Sequence, residues 1–324
     1  MPSKPLFTRF RGITTGRIIV MEASGGDETF DVQIDGKTYR THVFTSIGTN
    51  KLTISRKSNS QEYNTLETLI IAGGGGGGNG ENYEINPSGG GGGGAGGVVE
   101  ANYVIQGNSV NVFVGAGGAG TSDGQYSYIG EGQFNIIAVG GGGGGGGDGV
   151  NGTAGGGSNN PEADYPRGND GGSGGGGGRA GNGGTGLQPN YSTTNHSDYG
   201  TGFGNNGYAG QGTGAAIVSP AGVGKDGGGG GGAGSAGVGR SGGAGVIYNW
   251  HSSSQSDKLF AYGGTGGNMS GRSYGAAGPA NTGAGGNGGS GPWSFNNAND
   301  GPSIAGGNGG SGIVVIRYRI DTDI

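Results

Sequence analysis

The residues able to do chemistry are few and scattered, so they are the first test of function. Histidines stand at His42, His196 and His251, with no spacing that would gather imidazoles around one metal ion. His196-Ser197-Asp198 sets three triad residue types side by side, but a catalytic triad is an arrangement in space and rarely falls on consecutive residues. His42 reads as a surface residue of a strand. Gly-x-Gly-x-x-Gly matches abound, yet that fingerprint needs a following helix and an acidic residue about 20 positions on. Ala221-Gly-Val-Gly-Lys225-Asp226 lacks the Ser/Thr and the spacing of a phosphate loop. One calcium-repeat match, from Gly143 through Asp148 to Asn151, stands alone where tandem copies are needed. The chain has no cysteine, which removes thiol chemistry and disulfides. These residues predict no catalytic group, no metal site and no cofactor, hence a protein that is not an enzyme.

A set of aromatic residues in polar inserts remains. Tyr83, Tyr126, Tyr128, Tyr165, Tyr274 and Trp293 lie among Asn, Ser, Gly and Thr, with Arg167 beside Tyr165. That composition is the one antibody loops use: tyrosine supplies contact area at small entropic cost, while Asn and Ser adapt their hydrogen bonds. Arginine and tyrosine in one loop are also the types most frequent at binding hot spots. The competing structural reading has each ring covering glycine backbone that would otherwise be bare.

Glycine runs must position these inserts. Six glycines in a row occupy Gly73–Gly78, six Gly89–Gly94 and eight Gly140–Gly147, with relatives at Gly174–Gly178 and Gly227–Gly232. Of the 94 glycines, only 6 fall within residues 1–71, so the chain changes regime near residue 72. No fixed triplet supports collagen. Each interior glycine would cost an α-helix roughly 0.5–1 kcal/mol relative to alanine, and a sheet would lose side-chain packing. The expectation is therefore a mainly β fold plus polyglycine II: a small antiparallel β domain followed by a bundle of left-handed, polyproline-II-like glycine helices with β segments at one end. Backbone hydrogen bonds between neighbouring helices would knit such a bundle.

Three divisions follow. Residues 1–16 read as an extended docking arm in which Phe7, Arg9, Phe10 and Arg11 attach the chain to a larger particle. Residues 17–71 read as the small β domain. Asp35-Gly36 between two alternating runs signals a type I′ hairpin, and Lys51–Arg56 and Leu66–Ala72 add strands. Residues 72–324 form the glycine-rich region, closed by a C-terminal strand from Ile313. Within it Val98–Val114 reads as a hairpin around Gln106-Gly-Asn-Ser, and Gln133–Val139 as a strand of the same β layer. An even number of glycine passes then places the Ser158–Asp170 loop, with Tyr165 and Arg167, at the far tip.

Net charge is −5, too little and of the wrong sign to attract nucleic acid. No apolar stretch nears 18 residues, and Met1–Arg11 has no apolar signal-peptide core, so neither a membrane span nor a Sec signal is expected.

The segments Val43-Phe-Thr-Ser, Leu69-Ile-Ile-Ala followed by six glycines, Gly-Ala-Gly-Gly-Val98-Val, Val114-Gly-Ala-Gly-Gly-Ala-Gly and Gly-Gly-Ser-Gly-Ile313-Val-Val-Ile-Arg-Tyr together resemble a glycine-rich module of tail-fibre and other virion proteins of tailed bacteriophages. The likeness spans about residues 42–319 and extends to the adhesins that cap long tail fibres. It implies a non-enzymatic virion protein of the tail, made in the host cytoplasm. Its partners would be other tail, fibre or baseplate proteins and a host surface protein or polysaccharide, with a homo-oligomer in the particle one option. A purely structural virion decoration or spacer, and a bacterial surface or fibre protein, are the alternative readings.

Overall fold

The computed structural model describes residues 18–80, 88–131, 134–147, 167–179, 181–188, 201–210, 226–268, 272–291 and 303–321. Their regular structure is β. The strands are β1 (Glu22–Ser24), β2 (Glu28–Ile34), β3 (Lys37–Phe44), β4 (Gly48–Arg56), β5 (Thr65–Ile71), β6 (Val98–Val104), β7 (Ser109–Val114), β8 (Ser127–Glu131), β9 (Phe134–Ala138), β10 (Thr201–Phe203), β11 (Val246–Tyr248), β12 (Lys258–Phe260) and β13 (Ile313–Arg319); Glu62–Asn64 adds one 3-10 turn.

These strands build an outer sheet in the order β1-β4-β7-β8-β9, a central sheet in the order β10-β6-β5-β13-β3-β2 and a two-stranded β11-β12 sheet. All their pairings are antiparallel. Asp35 and Gly36 make the tight β2–β3 connection with φ of 50° and 76°, the positive values a type I′ turn demands.

The central sheet is covered on both faces. One face meets the outer sheet through Leu66, Ile70, Val314 and Ile316 against Leu52, Val112 and Ile129. The other packs Leu69, Ile71, Val98 and Val315 against Phe260, Ala261, Val246 and Trp250. This double burial explains why Leu69-Ile-Ile and Ile313-Val-Val-Ile are continuous apolar runs, while β7, with one face toward solvent, alternates.

The expected architecture is corrected here. No bundle of glycine helices is present as regular structure among the described residues; the strands account for it, and the glycine runs belong to no element. The β-branched and aromatic segments that can form sheets are spread from residue 22 to 319, and they find one another. β3 pairs with β13, and β4 pairs with β7. Val98–Val114 is likewise not a hairpin: β6 joins the central sheet and β7 the outer one. Its apolar residues are needed in both layers of one sandwich.

The glycine runs extend from the strand ends and pack side by side. Gly75 and Gly78 donate to Gly94 and Gly91 (2.8 and 2.7 Å), Gly74 and Gly77 to Gly310 and Gly307 (2.9 and 2.8 Å), and Gly73 and Gly76 to Gln125 and Ser122 (3.0 and 2.8 Å). Each run thus bonds sideways to other segments, as a buried backbone without bonds of its own must. A Cβ on Gly91 would stand 2.0 Å from the carbonyl oxygen of Gly176, so only glycine admits this approach.

Candidate functional site

The strongest surface candidate lies where the outer sheet meets the glycine runs. Along β7 the inward Val110, Val112 and Val114 are fully buried, which turns Phe113 outward. Register sets Phe113 opposite Tyr128 of β8. Their rings are 5.6 Å apart and within 3° of parallel, and Tyr126 adds a third ring 5.2 Å from Phe113 and 6.0 Å from Tyr128. Spacings of this kind are favourable aromatic contacts.

Backbone bonds hold the cluster. Gly73 donates to the Gln125 carbonyl (3.0 Å), and Gln125 donates to Ala116 (2.9 Å). The Ser127 hydroxyl accepts from Gly115 N–H (3.0 Å) and donates to the Ile71 carbonyl (2.9 Å). Tyr126 is nevertheless 51 % exposed. It is an aromatic surface on a fixed backbone, able to stack and to hydrogen-bond through its hydroxyl.

The other expected residues are not gathered here. Tyr274 stands 75 % exposed on a separate glycine-rich segment. Arg167 is engaged by Asp170 at 3.1 Å, and Asp170 also accepts from Thr185 N–H (2.6 Å). Tyr83, Tyr165, Trp293 and the attachment residues Phe7, Arg9, Phe10 and Arg11 lie outside the described residues. Tyr128 sits on a strand and not in the loop its polar neighbours suggested. Phe113 escaped notice in the sequence, although its place out of phase with three valines marks it as an outward aromatic.

A second feature is a cleft of about 330 Å³ at the sandwich edge, between β1 and the β2–β3 pair, lined by Ser24, Thr29, Asp31, Arg40 and His42. His42 is buried, not a surface residue; it stacks on Tyr318 at 5.7 Å. Its Nδ1 donates to the Gly25 carbonyl at 2.7 Å, and Nε2 lies 3.5 Å from the Tyr318 hydroxyl. Burial lowers its pKa, with the Gly25 bond opposing, so the ring is neutral at pH 7. The nitrogen beside Thr29 Oγ1 (3.2 Å) is the one committed to Gly25, so it does not serve as a base on that hydroxyl. Asp31 is held by Arg40 at 2.9 and 3.0 Å, which keeps the carboxyl below its usual range.

A third cluster pins the loop after β11. The Arg317 guanidinium lies 3.6 Å over the Trp250 ring and bonds Glu67 at 2.6 Å. Tyr248 donates to Glu100. No group of three or more metal-binding side chains occurs among the described residues, and no helix among them is long and apolar enough to cross a membrane.

Fold and surface together define an antiparallel β sandwich extended by hydrogen-bonded glycine segments that carry exposed aromatic side chains. The sequence matches the family model described as a glycine-rich domain over residues 45–251, more than half of its 324 residues. The chain belongs to this glycine-rich domain family. No curated protein matches it.

Proposed function

We propose that this chain is a non-enzymatic virion protein of a tailed bacteriophage, a tail-fibre or tail-tip component that contributes to recognition of the host surface. The observation that carries the reading is the half-exposed Tyr126, held with Phe113 and Tyr128 on a backbone locked by interstrand and glycine-segment hydrogen bonds. Rigid aromatic anchors lose little entropy on binding. The residue types that resemble tail-fibre modules supply the virion context, in which Phe7, Arg9, Phe10 and Arg11 attach the chain to other tail proteins.

A purely structural spacer is the second reading, favoured by the engagement of Arg167 with Asp170 and of Arg317 with Trp250. Adsorption separates the two. Virions carrying Tyr126→Ala with Tyr274→Ala are expected to assemble normally and adsorb several-fold more slowly, since hot-spot aromatics dominate small interfaces. Wild-type adsorption by that double variant would leave the spacer reading standing.

A further inference from the structure

The outer sheet's exposed face points to the class of ligand. Its pairings set Thr49, Phe113, Tyr128 and Ile137 in one row across four strands. The next row on the same face is Lys51, Asn111, Gly130 and Asn135. An aromatic row thus runs beside a row that offers an ammonium group and two amides, with Gly130 interposing no side chain. Tyr126 extends the aromatic row toward the glycine segments.

From this juxtaposition we infer that the face binds a pyranose ring of a surface polysaccharide, a deepening of the recognition reading on which it rests. The apolar faces of a sugar ring pack on aromatic rings, while its hydroxyls need donors and acceptors at the edge. Asn111 and Asn135 each supply both, and Lys51 supplies a donor.

Charge and size separate this ligand from a protein. The two rows hold one charged residue, Lys51, which suits a polyhydroxylated ligand that is neutral or bears an occasional carboxylate. A stable protein interface engages roughly 20–30 residues on each side around an apolar centre. Here the aromatic part is three rings bordered at once by amides. That area matches one or two sugar units.

The test is retention of the purified full-length chain on an array of immobilised bacterial polysaccharides, both lipopolysaccharide O-chains and capsular polysaccharides. Wild type should be held by at least one of them. Tyr126→Ala should weaken retention about tenfold, the scale of one lost aromatic stacking contact, with an unchanged melting temperature. Tyr126→Phe should stay within about threefold, because the ring and not the hydroxyl does the stacking. Asn111→Ala should lie between them. Wild type retained by no polysaccharide, or Tyr126→Ala retained like wild type, would overturn the inference.

A second arm uses wild type alone on bacteria to which it adheres. Periodate, which cleaves sugar diols, should abolish adherence, and protease treatment of the cells should not. Adherence that survives periodate but is lost to protease overturns the polysaccharide assignment and leaves host recognition intact. Adherence to no bacterium defeats both.

Discussion

The sandwich and the glycine runs are both buried, but they exclude water by opposite means. Between the two large sheets, Leu52, Leu66, Ile70, Val112 and Ile129 are sealed from solvent and fill the space with side chains. Among the glycine runs there is almost no side chain to pack. Gly75, Gly78 and Gly91 are buried because other backbones lie against them, bonded at 2.7–2.8 Å. The first region derives its stability from apolar area and close packing, the second from hydrogen bonds that only a missing Cβ allows. Losing atoms is therefore the hazard in the sandwich, and gaining atoms is the hazard in the glycine region.

The largest effect that would break or confirm this contrast is Gly91→Val. Its Cβ would collide with Gly176 O, and the bonds Gly91 N–H to Gly145 O and Gly78 N–H to Gly91 O would be strained with it. Overpacking and the lost bonds together should cost roughly 3–6 kcal/mol. Gly36→Ala is the control: no atom lies within 4 Å of its would-be Cβ, and only the φ of +76° opposes it, a matter of about 1 kcal/mol. Denaturant unfolding that ranks the two equally would show that close approach is not what glycine supplies at Gly91.

Truncation should produce the mirror result in the sandwich. Leu66 is fully buried between the sheets, and Leu66→Ala should lower stability by about 2–5 kcal/mol through lost transfer energy and a residual cavity. A loss well under 1 kcal/mol would mean that the sheets do not depend on side-chain packing there.

The smallest expected effect sits at the rim of the sandwich. Burial pushes the Asp27 carboxyl up, but hydrogen bonds from the Ser46 and Thr45 hydroxyls and backbone N–H groups outweigh it and hold the pKa at about 2. Because the folded value lies below the ordinary one of 3.8, this stabilisation is complete above about pH 4 and disappears as pH falls toward 2. The site is exposed to solvent, so its worth stays below about 1 kcal/mol. Asp27→Asn should flatten that part of the stability profile, and a profile unchanged between pH 4 and 2 would assign the acid sensitivity to other carboxylates.

Parts of this were legible in residue order alone. Asp35-Gly36 between alternating runs carries its own turn chemistry, and the hairpin it closes is local. Leu69-Ile-Ile-Ala and Ile313-Val-Val-Ile read as strands whose continuous apolar character marks two-faced burial. Gln133–Val139 also reads as a strand, but it pairs in the outer sheet, with Ile137 on the exposed face, and not in the layer of Leu69–Ile71 and Ile313–Ile316 that its apolar run suggests. Tyr126 could be singled out because tyrosine among polar residues seldom belongs to a core. Other features were not legible. Val98–Val104 and Ser109–Val114 sit four residues apart with a turn-like Gly-Asn between, which favours a hairpin unless two sheets compete for them. His42 stands on a strand between Thr41 and Val43 with nothing in its local sequence to mark it as covered, yet its ring is covered by Tyr318 from 276 positions away. A bundle of glycine helices followed from treating each run by itself, whereas the sheets recruit segments from the whole chain.

Sequence by itself determined where backbones approach and where side chains pack, because the absence of a Cβ is a property of each glycine, and β-branching and apolar character are properties of each strand residue. It also singled out Tyr126 and Tyr274 on polar inserts, and both are exposed. Only the tertiary structure decided which strands share a sheet and that Phe113, Tyr126 and Tyr128 form one cluster beside Lys51, Asn111 and Asn135. Those relations depend on pairing registers between segments whose local patterns are compatible with several partners. The choice among them is made by burying both faces of the central sheet at once.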